Sequence, residues 1–518
     1  MVGMTALVEP RPILGGLWRF GETLAPCGDV DGGPVTAQVE HARGAFALTW
    51  TDPDGRLVLA RDPIGHRSLY WSRLANGQVA WSTRLANVAR HLPTRNLALN
   101  ALAAYLACSY VPGSSTLLAE VRAVPAGALL RFGASGPPEV ERFWSLPRAP
   151  ESFDSEGALL HRLRDSLQAT VARVTPPERT AAFLSGGIDS SLVVALARQQ
   201  VPVDALSIHF GPEHRDELPW SRAVCEHTGA RHHAVHIGPD DVRRELDATV
   251  AALSEPNGDP LTVPNRVLFR TAAEMGHTVV LNGEGGDPCF GGPKNAPMLL
   301  AEVYGPDHRS EGLAHAYVRA HQRLADDLDL ALEPAVAAAI PADAVTAKVT
   351  PWLDDVRWPA LLDRLMAINV AWKGAGHILP KVEHLGGLSG VSARSPLFDV
   401  GVVELAFQIP GELKRKGAIE KYLLKEAVRP WLPSAVVDRP KSGMMVPVEA
   451  WFDGPLRAFA RERLLEGLAP RRLFRRSWLE ALVDRRLGGL RPRRGVKLWL
   501  LLTLEAWLRA HLPDGPLA

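Results

Sequence analysis

The chain has 518 residues, of which 46% are hydrophobic and 22% charged, and its 58 Lys+Arg residues nearly balance 57 Asp+Glu residues. This length allows two or more domains with separate cores. The net charge of +1 gives no overall attraction to nucleic acid or to an acidic membrane, and we expect neither as a partner. The four cysteines lack a paired metal-binding spacing and are too few to cross-link so long a chain, which favours a reducing, cytoplasmic location.

The first 145 residues carry the signals of β-structure. The runs Ala45–Trp50 and Leu57–Ala60 flank Asp52-Pro53-Asp54-Gly55, a pattern that predicts a β-hairpin. A polar, proline-rich segment at 145–152 predicts a linker. The sequence therefore predicts one domain over residues 1–145 and a second over residues 153–518.

No segment of the sequence predicts export or membrane insertion. The first twelve residues lack the basic start and the apolar run of a secretion signal. The most apolar stretch, Leu498–Leu508, contains Glu505 and is too short to span a bilayer. We expect it to be a helix of the core.

The second region alternates helical and strand patterns. Leu159, Leu163 and Leu167 mark one face of a helix, and strands are predicted at 180–184, 203–210 and 278–281. Such alternation is typical of a parallel, doubly wound α/β sheet. From about residue 297 the pattern is mostly helical, with Pro380 and Pro396 among the prolines expected in loops.

A glycine pair follows the first of these predicted strands, in Leu184-Ser185-Gly186-Gly187-Ile188-Asp189-Ser190-Ser191. Glycines between a strand and a helix let backbone N–H groups approach an anion, and the serines add hydroxyl donors. A carboxylate beside a phosphate site is useful chiefly when a divalent cation lies between them. The segment therefore predicts a pyrophosphate-binding loop with Asp189 as a metal ligand, the alternative being a Gly-Gly turn with polar residues.

A second glycine-rich loop follows the predicted strand that ends at Leu281. It reads Asn282-Gly283-Glu284-Gly285-Gly286-Asp287 and continues to Gly292. The carboxyl ends of parallel strands meet at one edge of a sheet, so we expect this loop to face the first one. The two carboxylates in such a turn are suited to binding a metal ion and to accepting a proton.

Together these loops resemble the asparagine synthetase family of ATP pyrophosphatases. The resemblance extends to Pro-Lys-Val-Glu-His at 380–384, Ala-Arg-Ser-Pro-Leu-Phe-Asp at 393–399, Glu-Lys-Tyr-Leu-Leu at 420–424 and Arg-Pro-Lys-Ser-Gly at 439–443. Segments 44–47 and 60–70 look like the back half of the family's N-terminal glutaminase domain. The implied fold is an α+β, Ntn-type glutaminase-like sandwich remnant, followed by an α/β doubly wound parallel-sheet ATP pyrophosphatase domain with a helical C-terminal part.

The resemblance also implies a reaction and roles for individual residues. A substrate carboxylate would attack ATP, release pyrophosphate and form an acyl-adenylate, which an amine would open to an amide. ATP and Mg²⁺ are the implied cofactors, with Asp189 and Asp287 as metal ligands and Lys421, Glu284 and Glu383 as catalytic residues. The nucleotide would contact the set Ser185, Gly186, Gly187, Asp189, Ser190, Ser191, Gly283 and Gly285.

Three departures from the family bear on the function. Glutamine-dependent members begin with cysteine, whereas the first cysteine here is Cys27, so we expect no glutaminase activity unless Cys27 is a displaced nucleophile. Pro288 and Ser392 stand where the family pattern has acids, which makes aspartate doubtful as the substrate. Glu284 is not a departure, because asparagine synthetases also carry glutamate there; β-lactam synthetases carry tyrosine, which disfavours that activity.

The sequence thus predicts an AMP-forming amide synthetase that joins a small-molecule or peptide carboxylate to ammonia or an amine without hydrolysing glutamine. The leading rival hypothesis is an intramolecular macrolactam synthetase, such as a lasso-peptide cyclase of a natural-product pathway. Two further hypotheses are a non-catalytic scaffold homologue and a tRNA-modifying pyrophosphatase. A homodimer or a pathway partner protein is compatible with any of these.

Overall fold

The structure is a computed structural model that describes Val39, Ala42 and residues 44–150, 154–304, 310–439, 443–488 and 493–513, with the backbone of three short strands before residue 21. Cys27 lies outside the described residues. The strands are β1 Thr5–Ala6, β2 Arg11–Ile13, β3 Leu17–Phe20, β4 Ala47–Thr51, β5 Leu57–Arg61, β6 Tyr70–Arg73, β7 Val79–Ser82, β8 Arg122–Ala123, β9 Ala128–Phe132, β10 Glu139–Arg142, β11 Thr180–Phe183, β12 Val203–His209, β13 Arg231–His236, β14 Val279–Leu281, β15 Ser392–Arg394, β16 Arg415–Lys416 and β17 Ile419–Glu420.

The N-terminal region forms two sheets. One contains β10, β9, β5, β4, β3 and β2 in that order and is antiparallel throughout, and the other contains β1, β7, β6 and β8. The predicted hairpin is present, because β4 pairs with β5 across the Asp52–Gly55 turn. Two helices, Leu85–Ala89 and Leu99–Cys108, complete this region among the described residues.

The central sheet is parallel, with the order β13-β12-β11-β14-β15. Three of its strands coincide with predicted strands, whereas β15 is only three residues long and carries no strand pattern of its own. Helices connect and cover the sheet and begin with one whose buried Leu159, Leu163 and Leu167 form the predicted apolar face. Their bounds are Glu156–Val174, Ile188–Arg198, Leu218–Thr228, Pro239–Ala252, Thr262–Glu274 and Gly286–Phe290.

The remaining chain is mostly helical, as the sequence predicts, with the short strands β15, β16 and β17 between helices. The α-helices are Ala296–Tyr304, Ser310–Ala320, Leu328–Ala331, Pro334–Ala338, Thr346–Leu353, Leu361–Ile368, Leu379–Leu388, Val400–Gln408, Gly411–Lys414, Tyr422–Val428, Ser434–Val437, Val448–Asp453, Arg457–Glu462, Arg476–Val483 and Arg494–His511, with π-helical segments Asn369–Ile378 and Arg463–Leu468. The described residues include no helix with the length and hydropathy that a bilayer crossing needs. The apolar stretch around Glu505 lies in the core, as expected.

Helical segments run without a break from Leu361 to Leu388 through the π-helical segment. We call this element the long helix. Pro380 lies within it rather than in a loop, which corrects the expectation from the sequence. The hydrogen-bond pattern shifts where the π-helical segment returns to α-helix, and a residue without an N–H group is tolerated at such a junction.

The N-terminal region packs directly on the long helix. Arg61 donates one hydrogen bond to the Ala375 carbonyl (2.9 Å), and Ser68 donates two to Glu383 (2.9 and 2.8 Å). Nearby, Glu255 lines a small internal cavity and accepts a hydrogen bond from the Leu117 N–H (3.1 Å). Burial raises the pKa of Glu255 to about 8.

Replacing Glu255 with glutamine should make stability less dependent on pH. The folded chain keeps the Glu255 proton that the unfolded chain releases near pH 4.5, so this group's contribution to stability falls as pH rises to about 8. Urea unfolding between about pH 5 and about pH 8 should therefore give a flatter curve for Glu255→Gln than for the wild type. Glu466→Gln, at an exposed glutamate, should keep the wild-type slope, and equal slopes for all three proteins would contradict the assignment.

Candidate active site

A cleft of about 390 Å³ opens at the carboxyl ends of β11, β12 and β14. The loops that follow β11 and β14 form one side of it. The long helix contributes Lys373, His377 and Lys381, and the N-terminal region contributes residues 108–110. The two motif loops, which lie about 100 residues apart in the chain, therefore face one cleft, as the parallel topology predicts.

The first loop is held by its own serines. The Ser190 hydroxyl accepts a hydrogen bond from the Ser185 N–H (3.1 Å) and donates one to the Gly187 carbonyl (3.2 Å). Gly186 has a positive φ of 71°, and a Cβ there would lie 2.6 Å from the Cβ of Trp220. Among the predicted nucleotide contacts of this loop, Ser185, Gly187, Asp189 and Ser190 line the cleft, whereas Gly186 and the fully buried Ser191 do not.

The two loops touch through glycines. A Cβ on Gly283 would lie 2.4 Å from the backbone nitrogen of Ser190, and one on Gly286 would lie 2.1 Å from Oδ1 of Asp189. Real Cβ contacts are never so short, so any side chain at these positions must displace the first loop. The glycines of the second loop therefore set how closely Asp189 approaches Asp287.

Lys421 joins the two loops. Its side chain is 1% exposed, and its ammonium lies 2.8 and 2.6 Å from the carboxylate oxygens of Asp189 and 2.5 Å from Oδ1 of Asp287. Its backbone is in the left-handed region, with φ 53°, where the chain enters the helix Tyr422–Val428. For a non-glycine residue this conformation is about 1–2 kcal/mol less favourable than the right-handed one, so the surrounding contacts must stabilise it. The structure thus brings Asp189, Asp287 and Lys421 together.

Glu284 lies in the same cleft, beside a lysine that sequence reasoning missed. Its backbone N–H donates to Oδ1 of Asn282 (3.1 Å). Across the cleft, Lys381 is 2% exposed and its ammonium lies 2.7 Å from Asp259. Burial disfavours the charge on Lys381, but the carboxylates of Asp259 and Glu284 outweigh it and raise the pKa of Lys381. A buried cation therefore lines the same cleft as the predicted proton acceptor.

The structure does not bring Glu383 into this group. Its carboxylate accepts the two hydrogen bonds from Ser68 described above, and it does not line the cleft. Burial raises the pKa of Glu383. Lys381 and Glu383 are two positions apart on one helix and point to different sides of it. From this segment Lys381 therefore lines the cleft, whereas Glu383 contacts the N-terminal region, and its catalytic role stays a prediction.

The cysteines in the described part of the chain are not activated thiols. Cys108, Cys225 and Cys289 are free and buried. Burial raises the pKa of Cys108 to about 12 and that of Cys225 to about 11, and it also raises the pKa of Cys289. A nucleophilic thiolate needs the opposite shift. The described residues also contain no group of three or more histidine, cysteine or carboxylate side chains fit to hold a metal by themselves.

Comparison with known proteins gives two family matches. The family model for asparagine synthase matches residues 162–509, and that for a glutamine amidotransferase domain matches residues 31–144. Asparagine synthetase [glutamine-hydrolyzing] 1 of Bacillus subtilis is 25% identical over 90% of this chain and 77% of its own length. A putative asparagine synthetase of Mycobacterium tuberculosis is 29% identical over 80% of this chain and 69% of its own. Carboxyethyl-arginine beta-lactam-synthase of Streptomyces clavuligerus is 27% identical over 86% of this chain and 72% of its own length.

Replacing Gly286 with alanine should damage the site by displacing Asp189. The added Cβ would overlap Oδ1 of Asp189, and overpacking of this kind costs about 1–3 kcal/mol. Gly286→Ala should lower the thermal midpoint and remove the stabilisation given by ATP with Mg²⁺, both measured by thermal unfolding. Gly411→Ala is the matched control, because a Cβ there meets nothing within 4 Å. Normal stabilisation by ATP in Gly286→Ala would show that the loop contact is not needed.

Proposed function

The chain belongs to the asparagine synthase family and is an ATP-dependent ligase, and we propose that it adenylates a substrate carboxylate and transfers the acyl group to ammonia or a substrate amine without hydrolysing glutamine. The observation that carries the proposal is the buried Lys421 between Asp189 and Asp287, two carboxylates that line the cleft beside a glycine loop suited to pyrophosphate. A site that had lost its chemistry would have no reason to keep two buried charges, Lys421 and Asp189, beside the partly exposed Asp287, since desolvation of charges is costly.

In the first step an oxygen of the substrate carboxylate attacks the α-phosphorus of ATP, and the bond to the β-phosphate oxygen breaks. Charge accumulates on the departing pyrophosphate. Backbone N–H groups at the start of the helix Ile188–Arg198, where Asp189 and Ser190 line the cleft, are the donors that we assign to stabilise it. Lys421 adds a cation at the reacting phosphate.

The charges of the site favour a divalent cation. Asp189 and Asp287 carry two negative charges and Lys421 carries one positive charge, so the group alone would repel a triphosphate. Both carboxylates lie within 2.8 Å of a single ammonium nitrogen, so they are close enough to share one ion. Mg²⁺ is commonly bound by one or two carboxylates together with substrate phosphates, and it would supply the missing neutralisation. Asp189 and Asp287 are therefore the residues that would hold it.

In the second step the amine attacks the acyl carbon of the adenylate, and AMP leaves with its electron pair. The nitrogen must lose a proton as the C–N bond forms, and Glu284 is the cleft carboxylate we assign to accept it. Lys421 would stabilise the oxyanion of the tetrahedral intermediate.

Glutamine independence is supported by the cysteines. Glutamine hydrolysis of this type uses a nucleophilic thiol, and the three cysteines that the structure describes are buried with raised pKa values. Cys27 lies outside the described residues. We propose that the N-terminal region, an Ntn-type sandwich remnant over residues 1–145, serves as a wall of the cleft rather than as a source of ammonia, with the synthetase domain over residues 153–518.

The second candidate function is an intramolecular macrolactam synthetase such as a lasso-peptide cyclase. One relative is named for a lactam, which is a cyclic amide, and it spans 86% of this chain. Loss of the acids at Pro288 and Ser392 also disfavours aspartate as the substrate. The chemistry of both steps is unchanged if carboxylate and amine belong to the same molecule.

Pyrophosphate exchange into ATP should require Mg²⁺ and a carboxylate and should depend on Asp189. The test panel is L-aspartate, L-glutamate, their N-acetyl forms, and peptides with one Asp or Glu side chain and a free N-terminus. Asp189→Ala should lower exchange by about a hundredfold or more, because it loses a cation ligand at the developing charge. Asp326→Ala, at an exposed aspartate, should exchange normally. Normal exchange in Asp189→Ala would contradict its role, and no exchange with any carboxylate would contradict adenylation.

Replacing Glu284 with glutamine should separate the two steps. Exchange should persist, whereas amide formation with hydroxylamine should fall by about a hundredfold, the usual contribution of a general base. Glutamine should yield no glutamate with the wild-type enzyme. An equal loss of exchange and amide formation would remove Glu284 as the proton acceptor. Glutamate release that Cys27→Ala abolishes would show that the glutaminase is active.

A further inference from the structure

We propose that Arg323 is a specificity residue that binds an anionic oxygen group of the substrate, such as a second carboxylate, while the carboxylate to be activated lies at the motif loops. The proposal rests on the proposed function, because it places this group on the molecule that is adenylated. Arg323 lines the cleft together with Asp189 and Asp287, but its hydrogen bonds are to residues outside both motif loops. It would therefore select among carboxylates rather than take part in their activation.

Arg323 is held in place by the N-terminal region and by its own turn. Its Nε donates to the Ser109 hydroxyl (2.5 Å), and its Nη1 donates to the His321 carbonyl (2.8 Å). The next residue, Leu324, donates its N–H to the Leu106 carbonyl (3.0 Å). The backbone and the side chain are thus both fixed, which orients the guanidinium before a ligand arrives.

The guanidinium of Arg323 lacks a carboxylate partner in the part of the chain that the structure describes. Its two hydrogen bonds use two of its five N–H donors, and the carboxylate of Asp259 is held by Lys381 (2.7 Å). Burial and the positive charge of Arg493 lower the pKa of Arg323 to about 10, although Asp259 opposes the shift. A cation in such surroundings is destabilised, and a bound anion would compensate it.

Arg61 and Arg439 show how this chain satisfies a guanidinium that does not line the cleft. Arg439 pairs with the Glu217 carboxylate (2.5 Å). Arg61 donates to four backbone carbonyls, those of Arg67, Val124, Gly65 and Ala375. Arg323 has neither arrangement among the described residues, and of the three arginines it alone lines the cleft. Its remaining N–H groups are therefore donors available to a ligand in the cleft.

The charges that line the cleft outside the motif loops are mostly positive. Among the described residues they are the cations Arg323, Lys373 and Lys381 and the single acid Asp259. The motif loops, in contrast, supply carboxylates that suit a nucleotide with its metal ion. The activated carboxylate must reach the α-phosphorus beside those loops, so the positive walls favour another anionic group of the same substrate.

Matched acids and amides test this preference in the exchange of pyrophosphate into ATP. Each panel compound with two carboxylates is compared with its α-amide, and each peptide with its C-terminal amide, which keeps the side-chain carboxylate. The wild type should favour the acid by about tenfold in kcat/KM, as expected for charged hydrogen bonds. Arg323→Met should lose this preference through a raised KM for the acid alone. Arg323→Lys should keep part of it, because the charge remains but the planar fork is lost.

The control for the loss of a positive charge is Arg319→Met, at an exposed arginine of the preceding helix, which should keep the full preference. A preference for the acid that survives in Arg323→Met would overturn the proposal, as would equal losses with acid and amide. A KM for ATP that rises in Arg323→Met would also overturn it, because Arg323 would then bind a phosphate of the nucleotide.

Thermal unfolding without ATP separates this proposal from the proposed function. Glutarate should raise the midpoint of the wild type but not that of Arg323→Met, and glutaramate, its half-amide, should raise neither at the same concentration. A midpoint that glutarate leaves unchanged in the wild type, or raises equally in both proteins, would overturn the anion site. A shift that depends on Arg323, in a protein that exchanges pyrophosphate with no carboxylate, would support the site and contradict only the adenylation.

Discussion

The ammonium of Lys421 between two carboxylates from separate loops is the interaction on which the site depends. Neither loop alone buries its aspartate favourably, because an unpaired buried charge is costly. The lysine compensates both aspartates at once and fixes their separation. Its left-handed backbone is a conformation that the surrounding contacts must stabilise where the chain enters the next helix. Removing this one cation would leave the buried carboxylate of Asp189 and the partly exposed carboxylate of Asp287 facing each other as like charges.

This arrangement explains why the loops are so rich in glycine. The aspartates must come close enough to share a cation, and the backbones that carry them must therefore touch. At Gly283 and Gly286 a Cβ would lie 2.4 Å or less from atoms of the first loop. The glycines are thus needed for the contact between the loops as well as for access of backbone N–H groups to the phosphate. The close approach of the two aspartates therefore accounts for the glycines in the sequence, for the packing of the loops and for the shared ion pair with Lys421.

The parts of the molecule that sequence reasoning predicts are those encoded by neighbouring residues. Three strands of the parallel sheet, the first hairpin and the loops that follow β11 and β14 all have local patterns, and they lie where expected. β15 has only three residues and depends on pairing with β14, so no hydrophobic periodicity in the sequence could reveal it. Pro380 is expected in a loop on local grounds, because its tolerance within the long helix depends on the π-helical segment before it.

The site is harder to predict where partners come from distant segments. Lys381 and Asp259 are 122 positions apart, and neither belongs to a glycine loop. Sequence reasoning selects Glu383 from the segment that also contains Lys381. Two steps along a helix turn the side chain by about 200°, so Lys381 and Glu383 lie on different faces although they belong to one segment.

The N-terminal region and the reaction cleft share the long helix, which gives this region a role that needs no glutaminase. Ser68 and Arg61 hold the helix from one side, at Glu383 and Ala375, while Lys381 faces the cleft from another. Residues 108–110 of the same region also line the cleft. The position of Lys381 therefore depends on contacts that the N-terminal strands and loops provide. A chain that no longer used glutamine would still need this region, because without it the cleft would lose a wall and the long helix its support.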